Sequence, residues 1–146
     1  MRAIQVVRVW LHDLHRGAPR CPRRGRSLGQ QSALGGGQSM QAALTAGKQA
    51  AACVIYYGMP EDKVERLKSL NCDVLDIYGT KDQWINTDLT KKFETNMKAA
   101  GKTLTVKSYD ADHGFANPSN PLGHFNAEAY KDAYKITMGF FKAKLK

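Results

Sequence analysis

The chain has 146 residues, of which 42% are hydrophobic and 24% charged, the composition of one globular domain with a core. It contains no run of about eighteen apolar residues, which excludes a membrane-spanning helix. Its three cysteines are odd in number and match no metal-ligand spacing, so we expect a reducing compartment, no disulfide framework and no metal. We also expect no cofactor.

The net charge of +9 is unevenly placed along the chain. Residues 1–40 carry seven arginines, one acid and no lysine, whereas residues 41–146 contain a single arginine, Arg66. Two parts that use different residues for the same charge indicate unlike origins. We therefore predict a basic, arginine-rich leader over residues 1–34 and a regular domain over residues 35–146.

From residue 35 onward, short apolar runs alternate with segments of helical character. The predicted strands are Ala51–Tyr57, Asp73–Tyr78 and Leu104–Tyr109. The predicted helices are Gln38–Ala46 ending at Gly47, Glu61–Leu70 as a short helix or turn, Asp88–Ala100 between an N-cap at Thr87 and a stop at Gly101, and Ala127–Lys144. The apolar face of the last helix is predicted at Tyr130, Ala133, Tyr134, Met138, Phe141 and Leu145. This alternation predicts an α/β fold, an open parallel sheet with flanking helices.

Two residues capable of acid–base chemistry follow predicted strands. Asp82 ends the segment Gly79–Asp82, and His113 lies in Tyr109–Phe115. Because the carboxyl ends of parallel strands meet at one edge, we expect the two side chains within hydrogen-bond reach, about 2.6–3.2 Å. They would form two thirds of a hydrolase triad in the order nucleophile, acid, histidine. His124, in the loop before the last helix, is a weaker candidate.

Five segments, in order, resemble the dienelactone hydrolase family of the α/β-hydrolase fold. They are Gly35–Leu44, Ala52–Gly58, Ile77–Asp82, Phe93–Lys98 and Asp112–Asn117. The resemblance covers residues 35–146 and only the C-terminal part of that fold, so it implies a partial α/β-hydrolase. It further implies hydrolysis of a small-molecule ester, lactone or thioester through an acyl-enzyme, with Asp82 as the orienting acid and His113 as the general base.

The nucleophile is where the sequence departs from the family. The family places a cysteine two residues before the first glycine of Gly35–Gly37, and this chain has Ala33 there. Ser32 is adjacent, but the G-x-S-x-G pattern needs glycines where Gln30 and Leu34 stand. We therefore expect impaired catalysis, and the alternative is a non-catalytic hydrolase remnant or a binding module.

None of the three cysteines is expected to replace the missing nucleophile, and a residue expected to bind the substrate is also different. Cys53 lies inside a predicted buried strand, Cys72 precedes a strand at the end away from the site, and Cys21 lies in the leader. Some family members carry an arginine four residues after the histidine, where it binds a substrate carboxylate, but here that residue is Asn117. A carboxylated substrate is therefore not supported.

The leader leaves three origins open. Its segment Arg16–Arg26 is too rich in arginine, proline and glycine to bury a core, which predicts disorder. It is a non-homologous stretch, an organelle transit peptide or a nucleic-acid-binding arm. We favour the first because the composition changes where the family motif breaks, so we expect a cytoplasmic protein without a nucleic-acid partner, and a mitochondrial leader stays the alternative. Without a preceding strand, the edge of Ala51–Tyr57 predicts self-association.

Overall fold

The computed structural model describes residues 31–144, with side chains from residue 37 onward. Its three strands are β1 (Ala52–Tyr56), β2 (Asp73–Gly79) and β3 (Leu104–Tyr109), and they form one parallel sheet in the order β1-β2-β3. The predicted open parallel sheet is confirmed. The predicted leader, residues 1–34, lies almost wholly outside the described residues.

Four α-helices accompany the sheet in the described residues: α1 (Gln31–Ala46), which a short 3₁₀-helix (Gly47–Gln49) follows, α2 (Val64–Leu67), α3 (Thr87–Ala99) and α4 (Ala127–Lys144). The predicted start of the first helix at Gln38 is wrong, because the glycine run is itself helical. A Cβ added at Gly37 would stand 3.3 Å from the carbonyl oxygen of Met59. Glycine thus lets α1 approach the loop after β1 closely, a tertiary gain that outweighs its low helix propensity.

The N-cap of α3 is Asn86, so the prediction of Thr87 is wrong. Asn86 has an extended backbone (φ −86°, ψ 172°), and its side-chain oxygen accepts a hydrogen bond from the backbone N–H of Leu89. Thr87 already belongs to the helix. The C-terminal stop is as predicted, since Gly101 follows α3 in the left-handed region at φ +68°.

The sheet is packed on both faces, as its continuous apolar strands require. One face and α4 form a cluster that includes Val54, Leu75, Ile77, Phe115 and Phe141. The other face, α1, α2 and α3 form a second cluster that includes Met40, Ile55, Leu67, Val74 and Phe93.

The buried stripe of α4 differs from its predicted apolar face. It consists of residues spaced four apart: Ala129, Ala133, Thr137 and Phe141. Tyr134 and Met138 are each 37% exposed, and Leu145 lies outside the described residues. Thr137 replaces an apolar residue because its hydroxyl pairs with the hydroxyl of Tyr56 at 2.8 Å. Between residues 31 and 144, no helix is long and apolar enough to cross a membrane.

Candidate active site

The candidate site lies at the carboxyl edge of the sheet. Tyr57 directly follows β1, Asp82 follows β2 by three residues and His113 follows β3 by four. Parallel sheets bind their ligands at this edge, because the loops after neighbouring strands converge there.

Asp82 and His113 are in direct contact, which confirms the predicted meeting of the two side chains. The distance from Oδ2 of Asp82 to Nδ1 of His113 is 2.6 Å, and the two side chains are 0% and 3% exposed. The other carboxylate oxygen, Oδ1, accepts hydrogen bonds from the backbone N–H groups of Trp84 at 2.8 Å and Ile85 at 2.9 Å. The carboxylate is therefore fixed from two sides, and it fixes the imidazole in turn.

Glycine at position 79 allows the two loops to touch. A Cβ at Gly79 would overlap the carbonyl oxygen of Ala111 and stand 2.8 Å from its carbonyl carbon. The loops are further joined by backbone hydrogen bonds from Thr80 to Tyr109 at 2.8 Å and from Lys81 to Ala111 at 3.1 Å. The Asp82–His113 contact thus depends on a close backbone approach that a side chain at position 79 would prevent.

Two aromatic rings enclose the imidazole. The ring centroid of Tyr57 lies 5.1 Å from that of His113, and the ring centroid of Trp84 lies 5.0 Å from it, both in edge-on arrangements. Tyr57 adopts φ +37°, a strained value for a residue other than glycine, and its N–H still donates to the carbonyl of Ile77 at 2.7 Å. The strained backbone thus places the Tyr57 ring against the imidazole.

The second imidazole nitrogen faces no partner in the described part of the chain. Nε2 of His113 is buried and has no hydrogen bond there. Because Nδ1 is committed to Asp82, Nε2 is the nitrogen that can exchange a proton with a reacting group. A buried nitrogen without a partner is costly in a core, so this atom is a candidate for contact with a ligand.

The loop after His113 returns to the site through His124. The ring nitrogen Nδ1 of His124 lies 3.1 Å from the backbone carbonyl oxygen of His113. Gly114, between the β3 loop and this return, adopts φ +78°. His124 therefore contacts the backbone of His113 and supports the loop. It is not among the hydrogen-bond partners of the Asp82 carboxylate, which in the described residues are Trp84, Ile85 and His113.

The other predicted candidates stay apart from the Asp82–His113 contact. Cys53 is buried inside β1, and burial, together with Cys72 and Asp76, raises the pKa of its thiol, so it is not an activated nucleophile. Burial also raises the pKa of Cys72, to about 11. The side chain of Asn117 is bonded within its own loop, where its oxygen accepts hydrogen bonds from the backbone N–H and the hydroxyl of Ser119.

The remaining candidates fall where side chains are not described. Ser32 and Ala33 belong to the first turn of α1, and only their backbone is described. Cys21 lies outside the described residues. From residue 37 to 144 no group of three or more histidine, cysteine or acidic side chains could hold a metal ion.

Comparison with known proteins identifies the family. The sequence model of the dienelactone hydrolase family matches residues 33–145, most of the chain. The chain belongs to the dienelactone hydrolase family. Within that family, a carboxymethylenebutenolidase from a Pseudomonas species is 31% identical to this chain over 91 residues. These residues are 62% of this chain and 37% of that relative.

Solved structures show the same α/β-hydrolase architecture. A structure described as a candidate dienelactone hydrolase from Klebsiella pneumoniae aligns with a TM-score of 0.66 and 27% identity, over 74% of this chain and 48% of the other. A dienelactone hydrolase-like promiscuous phosphotriesterase from metagenomic libraries aligns with a TM-score of 0.68 at 19% identity, over 76% of this chain and 49% of the other. The chain thus spans about half the length of these solved family structures.

Sequence analysis missed the aromatic residues around His113. The available signal for Trp84 was an aromatic residue two positions after Asp82, on a loop at a strand end. The signal for Tyr57 was its place at the end of a strand directly before Gly58. Neither signal indicates which way a ring turns, because that depends on contacts between loops from different strands.

Proposed function

We propose that this chain carries the acid–base pair of a carboxylic ester hydrolase acting on small-molecule esters, lactones or thioesters, and that its turnover is impaired. The observation that carries the proposal is the buried 2.6 Å contact between Asp82 and His113, with Nε2 of His113 left without a partner in the described residues. Asp82 is assigned as the orienting acid and His113 as the general base.

The geometry supports a defined path for the proton. The carboxylate of Asp82 accepts the Nδ1–H of His113, which leaves the lone pair of the neutral imidazole on Nε2. Nε2 takes the proton of a nucleophile as that nucleophile attacks the substrate carbonyl, and the carboxylate stabilises the imidazolium that forms. Nε2 then returns the proton to the leaving group, and a water molecule repeats the sequence on the acyl-enzyme.

Impairment follows from Ala33, at the position where the family carries its cysteine. Alanine has no atom that can attack a carbonyl, so the acyl-enzyme cannot form at this position. The same observation favours a second candidate function, a non-catalytic remnant or binding module that keeps the site's shape. The two candidates differ in whether His113 still activates a nucleophile placed at residue 33.

The test restores the missing group through Ala33→Cys. We expect iodoacetamide to alkylate the new thiol at position 33 at least about tenfold faster than the thiol of Ala99→Cys, a control at an exposed position on α3. The reason is that a neighbouring histidine increases the fraction of the thiol that is ionised. Adding His113→Ala should abolish the difference. Mass spectrometry at the labelled peptide separates these thiols from the natural ones.

Hydrolysis of p-nitrophenyl acetate provides the second measurement. The unmodified chain should be no faster than its His113→Ala variant, since without a nucleophile the triad chemistry is lost. A product burst that disappears with Ser32→Ala would show that the impairment is wrong. Equal alkylation of the position-33 thiol with and without His113 would show that the acid–base assignment is wrong and favour the binding module.

A further inference from the structure

Trp84 combines high exposure with a position against the candidate base. Its side chain is 63% exposed, the highest value among the exposed large hydrophobic residues of the described chain. Its ring centroid is 5.0 Å from that of His113, with the ring planes at 83°, and its backbone N–H donates to Asp82. Trp84 therefore has a fixed backbone and a largely exposed indole beside the imidazole.

A second exposed apolar side chain lies beside the residue that follows His113. Leu122 is 41% exposed, and its Cδ1 would lie 3.5 Å from a Cβ built on Gly114, the residue after His113. Tyr57 closes the inner side with its buried ring. Two aromatic rings therefore flank the His113 imidazole, of which Trp84 is exposed and Tyr57 is buried, and an exposed leucine lies beside Gly114.

The charges on the same loops disfavour an anionic ligand. Lys81, the cation beside Asp82 in sequence, is engaged by the carboxylate of Asp110, with Nζ 3.1 Å from Oδ1. Asp112, which directly precedes His113, adds a half-buried acid. A carboxylate on a ligand beside His113 would be disfavoured by an acid adjacent to His113 in sequence and would have to compete for a lysine that is already paired.

We propose that Trp84 is a specificity-determining residue that selects uncharged esters bearing an aromatic ring beside the reacting ester bond. This inference rests on the proposed function. The exposed indole stacks on the aromatic ring, and the contact between the indole and the imidazole places that ring beside His113. An aliphatic group of equal size gains the apolar burial but loses the stacking.

The experiment measures binding, so it needs no nucleophile. Three matched amides serve as stable probes: acetanilide, N-cyclohexylacetamide and 4-acetamidobenzoate, which are aromatic, aliphatic and anionic. They are titrated into the full chain while NMR follows the indole N–H of Trp84 and the ring of His113. Trp84→Phe and Trp84→Leu separate aromatic from merely apolar character, and Trp10→Phe identifies the indole signal. The resonance of the Asp82–His113 hydrogen bond reports that each variant is folded.

We expect acetanilide to shift both signals and to bind the unmodified chain about two- to tenfold more tightly than Trp84→Leu. Trp84→Phe should stay within about twofold of the unmodified chain, and the cyclohexyl and anionic probes should bind more weakly. Equal affinity in Trp84→Leu, tighter binding of the benzoate or shifts that do not reach His113 would each overturn the proposal.

The two proposals fail separately. Trp84-dependent binding together with no His113-dependent alkylation at position 33 keeps the aryl preference and overturns the hydrolase assignment. Trp84-independent binding together with His113-dependent alkylation overturns the preference alone. Failure of both leaves neither standing.

Discussion

Asp82 holds His113 with one carboxylate oxygen and is itself held by the other. Oδ2 meets Nδ1 of His113 at 2.6 Å, while Oδ1 accepts the N–H groups of Trp84 and Ile85. Because these contacts are made by a buried ring and by backbone groups of the same loop, the pair is already arranged in the free chain. Under the proposed function, preorganisation of this kind lowers the reorganisation needed during proton transfer.

Asp82→Asn is expected to reverse the tautomer of His113. An asparagine oxygen can still accept from Trp84 and Ile85, but its amide then faces Nδ1 and donates to it. The imidazole proton would move to Nε2, where a general base needs its lone pair. Nitrogen-detected NMR of ¹⁵N-histidine-labelled chain measures the tautomer directly, with His113→Gln to assign the signal and His124→Gln as the control. An unchanged Nδ1–H tautomer would contradict the inferred hydrogen-bond direction.

Gly79→Ala is expected to separate the Asp82 and His113 loops. The new methyl group would overlap the carbonyl of Ala111, so the backbone has to shift, at a cost of about 1–3 kcal/mol in the free energy of unfolding. Gly139→Ala is the matched control: nothing lies within 4 Å of its Cβ position, and alanine in α4 should gain about 0.5–1 kcal/mol. Urea denaturation measures both, and similar effects of the two substitutions would refute the close-approach argument.

The parts of the molecule that sequence could predict are those governed by local pattern. β1 is a run of apolar residues with no polar alternation, and a parallel strand buried on both faces has that composition. The contact of Asp82 with His113 was predictable because both follow strands, and strand ends converge in a parallel sheet. Local pattern and topology thus suffice to place the pair.

The parts that could not be predicted depend on tertiary contacts. Gly35–Gly37 lies within α1, and at Gly37 the helix approaches the loop after β1 closely, a contact between segments distant in sequence. The N-cap lies at Asn86, one residue before the predicted Thr87. Both residue types cap helices, so only the backbone angles show which of the two is the cap. The rings of Tyr57 and Trp84 reach His113 from separate loops, a relationship that no sequence window contains.

Asp76 is expected to make stability fall as pH rises. It is a buried acid in the middle of β2, opposite Ile55, and its Oδ1 has no partner in the described residues. Burial, with a smaller contribution from Glu94, raises the pKa of its carboxyl group from 3.8 to about 7. The folded state therefore favours the protonated acid, and its contribution to the free energy of unfolding declines between about pH 4 and pH 7.

Asp76→Asn tests this pH dependence, because asparagine stays neutral at every pH. Relative to the unmodified chain, the variant should gain about 2–3 kcal/mol in the free energy of unfolding between about pH 5 and pH 8. Asp88→Asn removes an exposed acid on α3 and is the control for the loss of one negative charge. Urea denaturation at several pH values gives the curves, and parallel curves for Asp76→Asn and the unmodified chain would count against a raised pKa.

The outer edge of β1 is the remaining feature with a testable consequence. Within the part of the chain that the structure describes, β1 is hydrogen-bonded to β2 on one side and has no strand on the other. The N–H of Tyr57 points to β2. Because the N–H and C=O groups of successive residues point to opposite sides of a strand, those of Ala52, Val54 and Tyr56 point away from β2. Unpaired groups along an apolar strand recruit other strands.

We predict that the full chain self-associates through this edge at tens of micromolar, although its charge of +9 opposes association. Ile55 has no exposed surface, so a lysine there would disrupt the core rather than the edge. Ala51→Lys is the better probe, because Ala51 is exposed directly before β1 and a lysine at a sheet edge disfavours pairing with another strand. Ala99→Lys adds the same charge at an exposed position on α3 and is the control. Sedimentation velocity should show less association for Ala51→Lys than for Ala99→Lys. A compact monomer in the unmodified chain would instead indicate that a segment outside the described residues, such as Ile4–Leu11, covers the edge.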